Sequence, residues 1–180
     1  YSRRNGLKRF FKTLLLIPFH SERFSRKKKF DAFINSMRLS DKKYIENEDG
    51  TNIEGLGIFE VYAKRNMLQR FNCLYLGKYE DIEILGFKSQ FTMLYGDNSK
   101  NYFADTEMGI GINNTTKLEG IRENNFFGTY VIGPLLILNP LFTEKLLKIM
   151  GIEEPKIAFR EDVMVAYEER LRKYKELTKK

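Results

Sequence analysis

A chain of 180 residues with 42% hydrophobic content is one ordinary domain with room for a core, and its single cysteine, Cys73, rules out an internal disulfide. One cysteine and one histidine, His20, also exclude a Cys/His zinc site, and the thiol count fits a reducing, cytoplasmic setting. The net charge of +7 is concentrated: residues 1–30 hold ten Lys or Arg against one acid, Glu22, so the rest of the chain is slightly acidic.

The charge step divides the chain into a basic segment, 1–30, and a near-neutral domain, 31–180. A basic arm can hold nucleic acid or anionic lipid. The reading taken is a solvated, partly ordered terminus without a nucleic-acid partner. The chain opens on Tyr1 rather than Met, as a fragment or processed chain would. The run "GLKRFFKTLLLIPFHS" has the basic-then-apolar order of a signal peptide, but Lys12 interrupts it and no small-x-small cleavage site follows.

Phe10 to Phe19 is expected as a short strand or helical turn. "SRKKKFDAFINSMRLSD" has Phe30, Phe33, Ile34 and Met37 at i, i+3, i+4 and i+7, which predicts a helix with Ser25 as its N-cap. "ENEDGTNIEGLG" is expected as a polar loop. Strands are predicted over Gly57–Ala63, Leu68–Leu76, Ile82–Phe87 and Gln90–Tyr95, all rich in Ile, Phe, Tyr and Val. "YGDNSKN" reads as a turn and "GIGINNTTKLEG" as a Gly- and Asn-rich loop.

Residues 124–143, "NNFFGTYVIGPLLILNPLFT", carry no charge over a length that would span a bilayer. Gly128, Gly133, Pro134, Asn139 and Pro140 would break a spanning helix, so no membrane span is expected. The segment is read instead as a buried strand, Phe126 to Ile132, then a Gly-Pro turn, then an apolar stretch ending at Asn-Pro. Phe127, Tyr130, Ile132 and Leu136 are expected to be buried. Pro140 opens a helix with a core face of Leu141, Phe142, Leu146, Leu147 and Met150 and a stop at Gly151. From Pro155 a long helix follows, with Ile157, Val163, Ala166, Tyr167, Leu171 and Tyr174 as its apolar stripe and basic residues in its last turns.

Four stretches between Tyr44 and Gly151 carry a family likeness: "KKYIENEDGTNIEGLGIFEVYAKR", "GFKSQFTMLYGD", "GIGINN" and "FGTYVIGPLLILNP". Together they resemble the second half of a class I glutamine amidotransferase domain of the cobyric acid synthase-like subgroup. That subgroup includes the amidotransferase subunit of lipid II isoglutaminyl synthase. The last stretch is similar to the family's Gly-Thr-Tyr-Leu-His-Gly-Pro-Leu-Leu-x-x-Asn-Pro signature. The resemblance implies an α/β fold, a three-layer sandwich, with the N-terminal part of its sheet incomplete here, so that 31–180 is a partial amidotransferase-like domain. It implies no cofactor and no metal. It also implies glutamine as the ammonia source and a Mur-ligase-like synthetase subunit as the partner, in amidation of a cell-wall precursor.

The family's chemistry uses a cysteine thiolate to attack the glutamine carboxamide and a histidine to relay the proton. The family histidine falls at Ile132, which can neither accept nor donate a proton. The family nucleophile falls at about Ile34, with Asn35 and Ser36 after it, where the expected glycine-flanked elbow has no glycine between residues 7 and 49. Ser36 and Ser40 are hydroxyls with no base in view. No catalytic residue is therefore assigned. Cys73, inside a predicted strand, reads as a small buried hydrophobe rather than half of a rebuilt dyad with His20. Arg70 matches an arginine that contacts the substrate glutamine in the lipid II subgroup. Two readings stand for it: a forked contact to a carboxylate, or a strand-edge arginine facing water.

Overall fold

Residues Phe71–Tyr79 (β5) and Ile82–Gln90 (β6) form a hairpin of two nine-residue strands, in register from Phe71 opposite Gln90 to Tyr79 opposite Ile82. These features come from a computed structural model of the chain, which describes residues 33–35 and 43–179. The two-residue turn needs positive φ, and Glu80 supplies it at 54° although it is not glycine. The Glu80 carboxylate lies 2.7 Å from Lys145 and 3.8 Å from Arg122, so cations from two other elements hold this strained corner. Alternation along the hairpin sends Tyr75, Tyr79 and Ile84 to one face and Leu76 and Leu85 to the other.

The remaining strands are Phe33–Asn35 (β1), Tyr44–Glu46 (β2), Asn52–Glu54 (β3), Tyr62–Arg65 (β4), Thr92–Tyr95 (β7), Ala104–Met108 (β8), Leu118–Glu119 (β9), Ile121–Glu123 (β10), Phe126–Gly128 (β11) and Val131–Ile132 (β12). They pair into three sheets: β1-β11-β10, β12-β6-β5-β8-β9, and β3-β2-β4-β7. Among the described residues β1 with β11 and β2 with β4 are parallel, and the other pairs are antiparallel. Three helices follow: Leu135–Leu138 (α1), Pro140–Ile149 (α2) and Arg160–Thr178 (α3). The chain is thus mixed α/β, as expected.

The five-stranded sheet is covered on both faces. Tyr79, Phe103, Phe127 and Phe142 meet on one face with ring centroids 5.4–5.9 Å apart, and Val131, Leu135 and Leu146 fill in around them. On the other face α3 lays Met164, Tyr167, Leu171 and Tyr174 over Leu76 and Leu85. The Tyr167 hydroxyl donates to Glu83 O at 2.9 Å and the Tyr174 hydroxyl to Gly86 O at 3.1 Å, which fixes α3 along β6. A separate cluster of Ile45, Ala63, Leu94, Ile112, Ile121 and Tyr130 backs the four-stranded sheet.

Several expectations change. Phe33–Asn35, predicted as the middle of a helix, is a strand in register with Phe126–Gly128. Its i, i+3, i+4 apolar spacing was a helix signal, but a partner strand from far along the chain decides the backbone. The strand predicted from Gly57 begins only at Tyr62, after a bend over residues 58–60, and Gly57 itself stands at φ 64°, outside the extended region. The loops predicted at 46–57 and 109–120 contain β3 and β9, and β8 was not foreseen. Phe126–Ile132 is two short strands in two different sheets, not one. Phe127 and Tyr130 are buried, whereas Ile132 is half-buried and Leu136 exposed. Pro140 does open a helix, and Gly151 follows its end at φ 90°. The long helix starts at Arg160 rather than Pro155, and Ala166 faces solvent. The predicted segment Phe10–Phe19, the proposed cap Ser25, and His20, Ser36 and Ser40 lie outside the described residues. Among the described residues no helix is long and apolar enough to cross a membrane.

Candidate functional site

The signature segment changes sheets between its two strands. β11 ends at Gly128 in one sheet and β12 begins at Val131 in another, so Thr129 and Tyr130 carry the chain across between them. Buried backbone N–H groups need acceptors, and here one carboxylate provides them. Glu119 Oε1 accepts from Tyr130 N at 2.8 Å and from Thr129 Oγ1 at 2.7 Å, and Thr129 Oγ1 in turn accepts from Val131 N at 3.0 Å. Glu119 is fully buried and its charge is met by Lys88 Nζ, equally buried, on its other oxygen. Lys88 also donates to Gly111 O at 2.5 Å and lies 5.3 Å from the Tyr75 ring centroid. Burial holds the Lys88 ammonium below the ordinary lysine value, against the upward pull of Glu119.

The far end of the segment is tied to the same strand. After Ile132 the chain turns away at Gly133, whose φ of 102° favours glycine and whose Cα abuts the Phe87 ring so closely that any side chain would collide. Leu85 therefore loses its β12 neighbour. The buried amide of Asn139 takes that place: Oδ1 accepts from Leu85 N at 2.6 Å, and Nδ2 donates to Leu85 O at 2.8 Å and to Leu135 O at 2.7 Å. Only a primary amide can both accept from and donate to one residue's backbone in this way. Pro140 follows at the first position of α2, where its missing N–H costs nothing.

Between the two ties sits Ile132. It pairs with Phe87, which pairs with Leu74, so the three side chains share one sheet face. Phe87 is 41% and Leu74 46% exposed, which makes the position the middle of an open apolar row with no proton-transfer group in it. Ile34 lies in β1, in register with Phe127 on the strand that leads toward Ile132. The two aligned positions therefore stand in different sheets, Ile34 in β1 beside β11 and Ile132 in β12 beside β6.

Cys73 pairs with Lys88, which pairs with Val131, so its side chain lies on the opposite sheet face from Ile132. Its thiol is half-buried, and burial pushes it above the ordinary thiol range although Lys88 and the Ile110 N–H pull the other way. That is the reverse of what an activated nucleophile needs. Arg70 is exposed, just ahead of β5, with its guanidinium 5.4 Å from the Phe91 ring centroid. Arg70 precedes Phe71, whose partner Gln90 is three residues along β6 from Phe87, the partner of Ile132, so Arg70 lies toward the same end of the sheet.

Sequence reasoning did not single out Lys88 or Glu119, and it named Asn139 only as a residue that would break a spanning helix. Asn139 had a signal, the signature's Asn-Pro. Lys88 and Glu119 had none, because a charged residue in an alternating strand is ordinarily a solvated one. No group of His, Cys, Asp or Glu able to hold a metal ion occurs among the described residues.

No protein-family model matches the chain. It is 34% identical over 107 residues to the lipid II isoglutaminyl synthase (glutamine-hydrolyzing) subunit GatD of Staphylococcus aureus (strain N315), a match covering 59% of this chain and 43% of that one. The resemblance read from the four stretches is matched to this extent: the chain is a relative of this subunit of lipid II isoglutaminyl synthase. It spans less than half the length of the relative it matches.

Proposed function

We propose that the chain is a divergent amidotransferase-type domain from lipid II amidation that no longer releases ammonia from glutamine. In this reading residues 31–180 form a partial three-layer sandwich of the class I, cobyric acid synthase-like kind, 1–30 are a basic appendage, and the protein acts in the cytoplasm beside a Mur-ligase-like synthetase. The observation that carries it is Ile132. The segment that places a residue at this point is fully built, with Glu119 at one end and Asn139 at the other, yet the residue placed is aliphatic and its neighbours are Phe87 and Leu74. Cys73 cannot substitute, because it lies on the other face with its thiol held protonated.

The test is ammonia release from glutamine, with and without a Mur-ligase-like partner. No turnover is expected in either case. Turnover that Cys73→Ala abolishes would overturn the reading and reinstate a rebuilt dyad.

The exposed apolar row favours a second reading, a non-catalytic module that docks a partner subunit. Leu74 and Phe87 are partly open, and Ile137 in α1 is 69% exposed. Docking through this row should depend weakly on salt, whereas binding of nucleic acid or anionic lipid through residues 1–30 should fall steeply with it. Titrating binding from low to high salt separates the two.

A further inference from the structure

We infer that the outer face of α3 is the docking site of the chain's own basic segment, residues 1–30. α3 packs Met164, Tyr167, Leu171 and Tyr174 over the five-stranded sheet, and the side turned away from such a stripe is ordinarily polar. Near its start that side is apolar instead. Val165 is 67% exposed, Ala166 beside it is exposed, and Phe159, which precedes the first helical residue, is 81% exposed. Phe159 also stands at φ 54°, a left-handed conformation that is costly for a bulky side chain. Nothing among the described residues buries its ring.

The occupant follows from charge. Glu153, Glu154, Glu161, Asp162 and Glu168 flank these apolar residues along the chain, all exposed, and none has an ion-pair partner among the described residues. Of the two cations in the same stretch, Lys156 and Arg160, the second is held by Glu144 at 2.6 Å. An acidic and apolar face takes a basic and apolar segment. Residues 1–30 have that composition: ten Lys or Arg against one acid, set around the apolar run Phe10–Phe19. The chain's other basic stretch, the end of α3, belongs to the same helix and has Arg172, Lys173 and Lys175 in ion pairs. Length allows the contact: the 13 residues between Phe19 and Phe33 can reach about 45 Å, roughly the diameter of a domain of this size. Each exposed ion pair is weak and screened by salt, so the apolar contact to Phe159 and Val165 has to add to them.

The test is zero-length carbodiimide cross-linking of the full chain, which joins a lysine to a carboxylate only where the two touch, read by mass spectrometry. At low salt Lys8, Lys12, Lys27, Lys28 or Lys29 should couple mainly to Glu153, Glu154, Glu161, Asp162 and Glu168. The yield should fall severalfold as salt rises to about 0.5 M and should not depend on protein concentration. Phe159→Gly separates docking from strain, because glycine takes this φ at no steric cost and the variant should fold at least as well as the parent chain. Loss of the ring should lower the yield at these carboxylates roughly threefold or more. If the ring contacts nothing, Phe159→Gly will only relieve strain and leave the yield unchanged, and the inference fails. No such cross-links, or cross-links spread evenly over Glu54, Glu60, Glu107 and the other exposed acids, would overturn it as well. A yield that rises with protein concentration would put the segment of a second copy on this face and overturn the assignment to the chain's own.

Discussion

Replacing Asn139 by Leu keeps most of the side-chain bulk and removes three hydrogen bonds at once. Leu85, wholly buried in β6, would be left with an N–H and a C=O facing the missing amide, and Leu135 O would lose its bond from the same amide. An orphaned buried backbone group costs about 1–3 kcal/mol. Two such groups, with partial relaxation of α1, give about 3 kcal/mol, within a bracket of roughly 2–5. For a domain of this size that lowers the midpoint of thermal unfolding by roughly 6–12 °C, readable by circular dichroism. Asn139→Asp is the instructive companion. It keeps an acceptor for Leu85 N but turns a second oxygen toward Leu85 O and Leu135 O, so at neutral pH it should be at least as damaging. A buried carboxyl so placed is protonated more readily folded than unfolded, so the Asp variant should regain stability as pH falls. If Asn139→Leu melts within about 2 °C of the parent chain, the amide is not standing in for a strand partner.

Phe127→Ala, at the centre of the four-ring cluster, should cost about 3–5 kcal/mol, whereas Ile132→Asp, half-buried on an open row, should cost roughly 1–2 kcal/mol. Equilibrium denaturation in urea compares them, and an Ile132→Asp penalty as large as that of Phe127→Ala would mean the row is closed. Ile132→His should not give glutaminase activity, because its imidazole would stand on the opposite face from Cys73; thiol-reagent kinetics should show Cys73 slower than a free cysteine at pH 8, with its rate rising only above the ordinary thiol range. Tyr79, Tyr130 and Tyr167 are each pushed up to about 12 by burial. A raised folded value means the folded state holds its proton longer, so this stability is whole below the ordinary tyrosine value of 10.0 and is lost as pH rises toward about 12; phenolate absorbance should show these groups ionising only as the fold melts.

The elements legible in the sequence were those whose signals are local. The strands of the β5–β6 hairpin are rich in Ile, Leu, Phe and Tyr and alternate in part, and α2 is bracketed by Pro140 and Gly151. What was illegible depends on partners far away in the chain. Ile34 sits in a pattern that fits a helix equally well until β11 is placed beside it. The break between Gly128 and Val131 cannot be seen in an unbroken apolar run, because the sheet that each half joins is set elsewhere. Of the candidate site, the position of Ile132 was read from a motif. Its half-exposure was not, since that depends on how far α3 reaches along β6 beyond Tyr174.

The parallel pairing of β1 with β11 joins backbone about 90 residues apart in the chain, whereas the β5–β6 hairpin closes over a two-residue turn. Loop-closure entropy for the first is repaid only once the intervening strands exist, so the hairpin should form early and β1 should be the last strand to arrive and the first to leave. Its departure would bare one side of β11, a row of unpaired N–H and C=O groups beside buried Phe127, and such an edge invites pairing with another chain. The tendency of this protein to aggregate should therefore follow the occupancy of three residues, and removing residues 1–42 should raise light scattering at concentrations where the hairpin core remains folded.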